Sequence, residues 1–547
     1  VNSRSDIETA FRSALGSLQQ TRTGAPPKAS GRPDIPGEEA AMADDAAVKQ
    51  TARADTCSAR VRAALSHPII DSDGHIIEFE AAVLDNLEAI AGRDARVRFC
   101  GEGRKSNNFG NYARMWGSEL YTPEQRDDLR LPKLAFWGLP SKNTMDRCAA
   151  TLPALLNERL DETGMDYSIL YPTFGLMTMH LDDPELRVAA SRAVNQYNYE
   201  AVSPFSKRLC SVGVIPMHTP EEAVAELEYA VKVQGHKVVV MPSYVVRPVP
   251  AAVREHPEIA HLTHWLDTYG SDSLYDYDPV WAKCLELGVN PTFHTPGYGF
   301  GTRTSPINFV QNHMGAFAAA GEGVARALMM DGVPHRFPTL KIGVLEGGVG
   351  WACMLLSDLL SHFAKRNKDT ISHHDPRNLD MKLFKEMHAK WGGPAVQSRL
   401  DRVGKSEMRT LSMEAHTADH STLIIDEFAG SGINSKEDIK RMFVEQFYFG
   451  CEADDPINVW AFNDKASPLG VKLKAMMASD IGHFDVLDIT EVAEEAHEAV
   501  EHGLMSEDDF RAFCFENPAE FWTSGNRGFF KGASVEAEVD KLLAART

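Results

Sequence analysis

A (β/α)₈ barrel is the fold class this sequence predicts, and three observations carry it. From Pro68 onward, short β-rich apolar runs alternate with longer helical patterns, the texture of repeated βα units on a parallel sheet. Eight such runs follow one another in order. Carboxylates and imidazoles stand where several of them end, and a parallel barrel keeps its functional side chains at those ends. The alternative with the same alternation is a doubly wound open sheet.

The first run is Pro68–Asp71, leading into Asp73 and His75. Asp166–Thr173, Leu209–Pro216 and Lys237–Pro242 are next, rich in Val, Ile and Leu and closed by Pro or Thr. Val289–His294, Leu340–Glu346, Met442–Cys451 and Leu473–Asp480 complete the set. Between them, Glu221–Val233 and Trp351–Lys365 carry helical spacing. Two gaps exceed the usual loop length, at about 82–152 and 366–440. Inserts of that kind after barrel strands commonly become lids; the first contains Trp116, Tyr121 and Trp137, of which Trp116 and Tyr121 offer an apolar cover.

The barrel with these inserts is expected over 67–525, and 526–547 as a helical tail. Residues 1–66 stand apart. Thr23–Ala54 is rich in Gly, Pro, Ala and charge with few large apolar residues, so it buries too little surface to offset its ordering entropy. It reads as a flexible arm whose beginning, Ile7–Leu18, has the pattern of a short amphipathic helix able to dock on a partner.

Composition sets the outer limits. Hydrophobic residues make up 43% of 547, enough for a large core. A barrel of this kind needs about 250 residues and tolerates large insertions. Against 77 acidic side chains there are 56 basic ones, a formal charge of −21, which argues against nucleic-acid and anionic-membrane surfaces. Eight cysteines are scattered with no C-x-x-C pair, as in a reducing compartment. No apolar run is long enough to span a bilayer and the first residues lack a secretory profile, so a cytoplasmic protein is expected. The expected partners are a small-molecule substrate and a second copy in a homodimer, with neither nucleic acid nor membrane.

The rim so defined holds Asp73 and His75, Thr173, His218, Ser243, His294, Glu346, Glu452 and Asp480, taken strand by strand. Asp73 and His75 are two apart, so on a strand both side chains reach the same face; an Asp-Gly turn is the competing reading. His294 ends an apolar run before Thr-Pro-Gly. Asp480 ends another, with a helix N-cap as its alternative role. Two imidazoles and two carboxylates form a mixed N/O set that suits Zn²⁺, Mn²⁺ or Fe²⁺ with positions left open.

Glu346, in LEGGVGW, is a candidate general base, further ligand or partner of a ligating histidine; a helix-start carboxylate is its plain alternative. His313 could reach metal or substrate, or simply pack. His483 could orient Asp480. His218 precedes Thr219, the expected cap of the next helix. His256, His261 and His264, like His373 and His374, read as exposed loop residues.

The stretches DSDGHIIE, NPTFHTPG, FPTLKIGVLEGGVGWA, MMASDIGHFD and EDDFRAFCFENPAEFW, in this order, resemble the amidohydrolase superfamily. The similar branch contains aminocarboxymuconate-semialdehyde decarboxylase and related aromatic-acid decarboxylases. The resemblance spans about Pro68–Trp522 without the inserts. It implies a barrel with one divalent metal, sometimes two, zinc first and manganese or iron as alternatives. It places the metal ligands at Asp73, His75, His294 and Asp480. Asp73 stands where the family has His or Glu, which shifts preference toward harder metals. Ser243 stands where carbamylated-lysine members have their bridging lysine. Glu346 stands where the decarboxylases have a sixth-strand histidine.

The expected activity is that of a metal-dependent hydrolase or C–C lyase acting on a small carboxylated or carbonyl substrate. Its metal would activate water or polarise a substrate oxygen. Asp480, Glu346 and His313 are the expected catalytic groups, Asp480 doubling as ligand and proton acceptor. Two alternatives share the scaffold: a mono- or dinuclear non-haem iron oxygenase, and a non-catalytic partner subunit of an active homologue.

Overall fold

A computed structural model describes residues 55–101, 121–133, 135, 139–295, 301–375, 378–403 and 426–546. Trp116, Trp137 and the Ile7–Leu18 segment lie outside the described residues. Eight parallel strands form one sheet: β1 (Ile70–Ile76), β2 (Tyr167–Pro172), β3 (Leu209–Val214), β4 (Val238–Pro242), β5 (Pro291–His294), β6 (Ile342–Val344), β7 (Phe447–Glu452) and β8 (Lys474–Ala478). Neighbours in sequence are neighbours in the sheet. The exit of β8 then returns to β1. Asp480 N donates to Asp73 O at 2.9 Å and His75 N to Ile481 O at 3.2 Å. The sheet is thereby closed, as the barrel expectation requires and an open sheet does not.

Helices follow the strands with readable start signals. Asp183 caps Pro184–Val202 and Thr219 caps Pro220–Glu228, each with proline at the first turn, where its missing N–H costs nothing. The helix after β6 runs Gly350–Arg366 and buries Leu355, Leu356, Leu359 and Phe363 at helical spacing. Val245–Arg247 and Trp265–Asp267 form a small antiparallel hairpin after β4.

Alternate residues of each strand fill the barrel interior: Tyr167, Ile169 and Tyr171, then Val212 and Val214, Val238 and Val240, with Tyr448 and Met476. Tyr171 Oη reaches Thr292 Oγ1 across the barrel at 3.1 Å. The end away from the rim is plugged by the tail. Phe521, Trp522, Phe529, Phe530, Val539 and Leu542 join the same cluster, and the last helix is Glu536–Ala545. Each such buried aromatic contributes about 1.5–3 kcal/mol. Gly343 in β6 makes room for the plug, since a Cβ there would meet the Phe521 ring at 2.9 Å.

Three boundaries differ from the sequence reading. Asp73 and His75 lie inside β1, not after it, Asp73 within a bulge between Asp71 and Gly74 and His75 beyond it. Met442–Val444 belongs to wide helical turns over Lys440–Val444, so β7 starts only at Phe447. Within the segment read as an arm, Cys57–Ala64 is a helix pinned to the body: Ser58 Oγ accepts from Ala493 N at 3.0 Å. Among the described residues no helix is long and apolar enough to cross a membrane.

Candidate metal centre

β1 carries three buried acidic or basic side chains: Asp73 and His75 turn to one face, and Asp71, across the bulge, turns to the face of Gly74. Asp71, Asp73 and His75 are all buried, yet they are treated differently. Asp71 accepts from Asp73 N at 3.2 Å, Ser479 N at 2.9 Å and Ser479 Oγ at 2.8 Å, and also from Ser168 Oγ. It ties β1, β2 and the β8 exit together. Gly74 is glycine for this reason: a Cβ would stand 2.5 Å from Asp71 Oδ2 and 2.8 Å from Ser168 Oγ. The space beside Gly74 is taken up by this network.

Asp73 and His75 take no part in it. His75 Nε2 lies 3.6 Å from Asp73 Oδ1, 3.4 Å from Asp480 Oδ1 and 3.9 Å from Glu346 Oε2. From β5, His294 Nε2 lies 2.6 Å from Glu346 Oε2 and 4.0 Å from Asp73 Oδ2. None of these atoms has hydrogen-bond geometry to any partner, the 2.6 Å contact included. Asp73, His75, His294 and Glu346 can each offer one ligand atom to a common point, and so can His75, Glu346, Asp480 and His483. Two atoms each about 2.0–2.2 Å from one ion lie at most about 4.4 Å apart. The five histidine–carboxylate separations given above meet that limit.

Backbone conformation marks the two rim carboxylates. Glu346 has φ +54° and Asp480 φ +48°, the left-handed region that non-glycine residues rarely adopt. Such positions cluster at active sites, where the surrounding structure holds them. His483 buttresses Asp480: its Nδ1 lies 2.6 Å from Asp480 Oδ1, its Nε2 3.3 Å from Thr173 Oγ1, and its ring centroid 3.9 Å from that of His75, the planes tilted by 34°. Thr173 is fixed from behind by Glu78, which accepts from the amides of Thr173, Phe174 and Gly175.

The electrostatics follow from burial. Desolvation, then the neighbouring carboxylates, push Asp73 and Glu346 well above the usual carboxylate range. Asp480 is raised too, by burial first and Glu346 next. Burial brings Glu452 up to about 8. The imidazoles move the other way: burial and His483 lower His294 to about 3, and burial takes His483 to about 4. Neutral imidazole is the form that binds metal. Carboxylates driven toward protonation by burial and one another are the groups a dication would keep ionised.

His313 sits outside the converging set, half-buried among aromatic rings. Phe309, Phe317 and Phe484 lie 5.0–5.3 Å from it, and Phe317 also packs at 5.7 Å from His294. The first insert reaches this wall: Lys133 N donates to Ser305 O, and Asn312 Nδ2 to Lys133 O. His218 is not on the centre, and Thr219 caps the following helix as expected. His256, His373 and His374 are exposed.

Sequence reasoning missed Asp71 and Asp485. Asp71 was not legible, since the bulge between Asp71 and Gly74 breaks the alternation that D-x-D-x-H suggests. Asp485 follows Asp480 by five residues in an irregular loop, and nothing local marks it.

The sequence profile of the amidohydrolase family matches residues 70–369, more than half of the chain. The chain belongs to the amidohydrolase family. Of the converging residues of this amidohydrolase, Asp73, His75, His294 and Glu346 fall within the match and Asp480 beyond it. Similar solved structures include an amidohydrolase from Mycobacterium avium subsp. paratuberculosis K-10, 16% identical, covering 84% of this chain and 100% of its own, with a TM-score of 0.43. A 5-carboxyvanillate decarboxylase from Sphingomonas paucimobilis is 12% identical, covers 84% and 99%, and has a TM-score of 0.44. A dihydroxybenzoic acid decarboxylase from Polaromonas sp. JS666 with bound manganese is 14% identical, covers 84% and 97%, and has a TM-score of 0.45. No curated protein matches the chain significantly in sequence.

Proposed function

We propose that this amidohydrolase is a metal-dependent hydrolase or carbon–carbon lyase acting on a small carboxylated or carbonyl substrate at the barrel rim. One observation carries the reading: Asp73, His75, His294, Glu346 and Asp480 converge as buried donors with oxygen or nitrogen atoms lacking any hydrogen-bond partner. Buried polar groups are costly unless satisfied, so five such residues in one place call for a ligand. The donor set fits a divalent ion. Two imidazoles suit zinc, and three carboxylates extend the range to manganese and iron. When bound, that ion supplies Lewis acidity toward a water or a substrate oxygen.

The chain's own groups do the rest. Asp480 accepts a proton at its carboxylate while His483, 2.6 Å away, holds it in place. His313 delivers or removes the second proton from the aromatic side of the cavity. Phe309, Phe317 and Phe484 keep water from that side, which strengthens every charge interaction within. Tyr121, from the first insert, is a covering residue in this reading. Glu346 keeps His294 in position and shares the ion.

The test is chelation and one substitution. Chelator should abolish turnover on a panel of carboxylated aromatic and aliphatic compounds, scored for CO₂ release and for amide or lactone hydrolysis. Asp480→Asn should retain metal by elemental analysis and lose nearly all turnover. Full activity in either case sinks the proposal.

A further inference from the structure

The second insert carries a helix that its own chain leaves bare. Met381–Trp391 starts with Asp380 as its cap, accepting from the amides of Lys382 at 3.0 Å and Leu383 at 2.9 Å. Yet among the described residues none from 378 to 402 is buried. Leu383 is 51% exposed, Met387 40% and Trp391 74%. At four-residue spacing these three form one ridge along the helix. What packs on the helix lies elsewhere. The short helix Gly393–Gln397 folds back so that Gln397 Nε2 donates to Ala389 O, on the face opposite Met387. The half-buried Phe384 and His388 rings meet at 4.2 Å beside the ridge.

An 11-residue helix falls short of the roughly 12–15 residues that hold in water without packing, so its stability depends on a covered apolar face. One exposed apolar residue is ordinary on any surface. Here the charges beside the ridge point to the occupant. Along one edge stand Lys382, Glu386 and Lys390, again four apart. Among the described residues none of the three has an ion-pair partner, and Lys390 lies over the Trp391 ring, 5.1 Å from its centroid. A copy of this edge laid parallel would set each charge against its own kind. Laid antiparallel, with Met387 on a two-fold axis, the edge pairs with itself. Glu386 of each copy then comes beside Lys390 of the other, and Trp391 of each packs against Leu383 of the other. The helix also carries three lysines to one glutamate in a chain of formal charge −21, which lowers the repulsion between two acidic bodies where they touch.

We infer that Met381–Trp391 is an interface between two copies of this chain, paired antiparallel about Met387. A second copy supplies both the apolar ridge and the opposite charges, in register. An anionic membrane would attract the lysines but repel the acidic body, and it leaves Glu386 without a partner. A helix this short spans about 16 Å. The patch is therefore smaller than the roughly 1,200 Å² of a stable pair, and the association is weak, with a Kd of about 10–100 μM. The interface does not depend on the proposed metal chemistry.

Sedimentation velocity on the full chain, from about 1 to 200 μM, reads the equilibrium. A monomer–dimer transition within that range is expected. Met387→Glu puts two like charges on the axis and should leave monomer throughout. Glu386→Lys and Lys390→Glu should each raise Kd about tenfold, and the Glu386→Lys/Lys390→Glu double variant should return it to the parent's value. Metal content is expected to be unchanged in all four. The charge variants decide the matter if Met387→Glu fails to fold. A parent that stays monomeric across the range overturns the interface, as does a Met387→Glu dimer as tight as the parent's. A double variant weaker than either single one overturns the antiparallel register. A monomeric parent that sediments with phosphatidylserine vesicles, and ceases to do so as Trp391→Glu, assigns the ridge to a membrane surface instead.

Discussion

Asp71 and Asp73 sit two residues apart on one strand, equally buried, and the protein treats them in opposite ways. Asp71 receives two serine hydroxyls and two backbone amides from three segments of the barrel. Asp73 receives nothing. The cost of burying a carboxylate is met by the fold in the first case and left open in the second. A saturated buried acid is part of the scaffold. A bare one, held among other bare donors, is a place prepared for something else.

The comparison can be broken from either side. The largest effect is expected on the bare side. His75→Ala should lose the metal and lower turnover by about a thousandfold or more, since Lewis-acid stabilisation is worth several kcal/mol. Its folding stability without metal should change little; retained metal in this variant would count against the site. Asp71→Ala is the converse. It strands two amides and two hydroxyls in the interior and should cost about 3 kcal/mol or more of folding stability, read by denaturant unfolding. If Asp71→Ala and Asp73→Asn destabilise the metal-free protein equally, the distinction between the two acids fails.

His313→Gln probes the wall beyond the ligands. Metal content should be unchanged while turnover falls about a hundredfold, the size of a general acid–base contribution. Equal loss of metal would place His313 among the ligands instead.

The smallest expected effect is a pH slope. His236, whose ring faces Ser211 and the Asn195 carbonyl, is held by burial at about 4, and His294 at about 3. Both lie below the ordinary imidazole value of 6.5. Their neutral forms therefore stabilise the fold fully above pH 6.5, and that contribution drains away as the pH falls toward 4. Each proton adds at most about 1.4 kcal/mol per pH unit to the slope. Unfolding of His236→Asn, followed from pH 7 to 4.5, should show a shallower acid slope than the parent. An unchanged slope would mean that His236 takes up no proton on unfolding.

Much of this was legible because barrel strands end where chemistry begins. His294, Glu346 and Asp480 each close an apolar run, and position alone brought them to one rim. What failed was of two physical kinds. Apolar runs cannot say which period they follow, so the helical Met442–Val444 was read into the strand that starts at Phe447. Long-range pairings leave no local trace. Ser58 docks on Ala493 across 435 residues, and Glu452 meets Asp485 because β7 and the exit of β8 lie side by side. The aromatic plug, Phe529 and Phe530, was read only as part of a tail, since nothing local says what it fills.

The left-handed backbone at Glu346 and Asp480 has a consequence for evolution and engineering. Each residue carries a conformational cost of about 1–3 kcal/mol that glycine would not. Glycine there would also remove a buried charge from a crowded acidic rim. Glu346→Gly should therefore melt higher than the metal-free parent while turning over nothing. Thermal selection applied without a demand for turnover would drift toward such sequences and discard the enzyme while improving the protein. Stability screens on this chain therefore need an activity gate at these two positions.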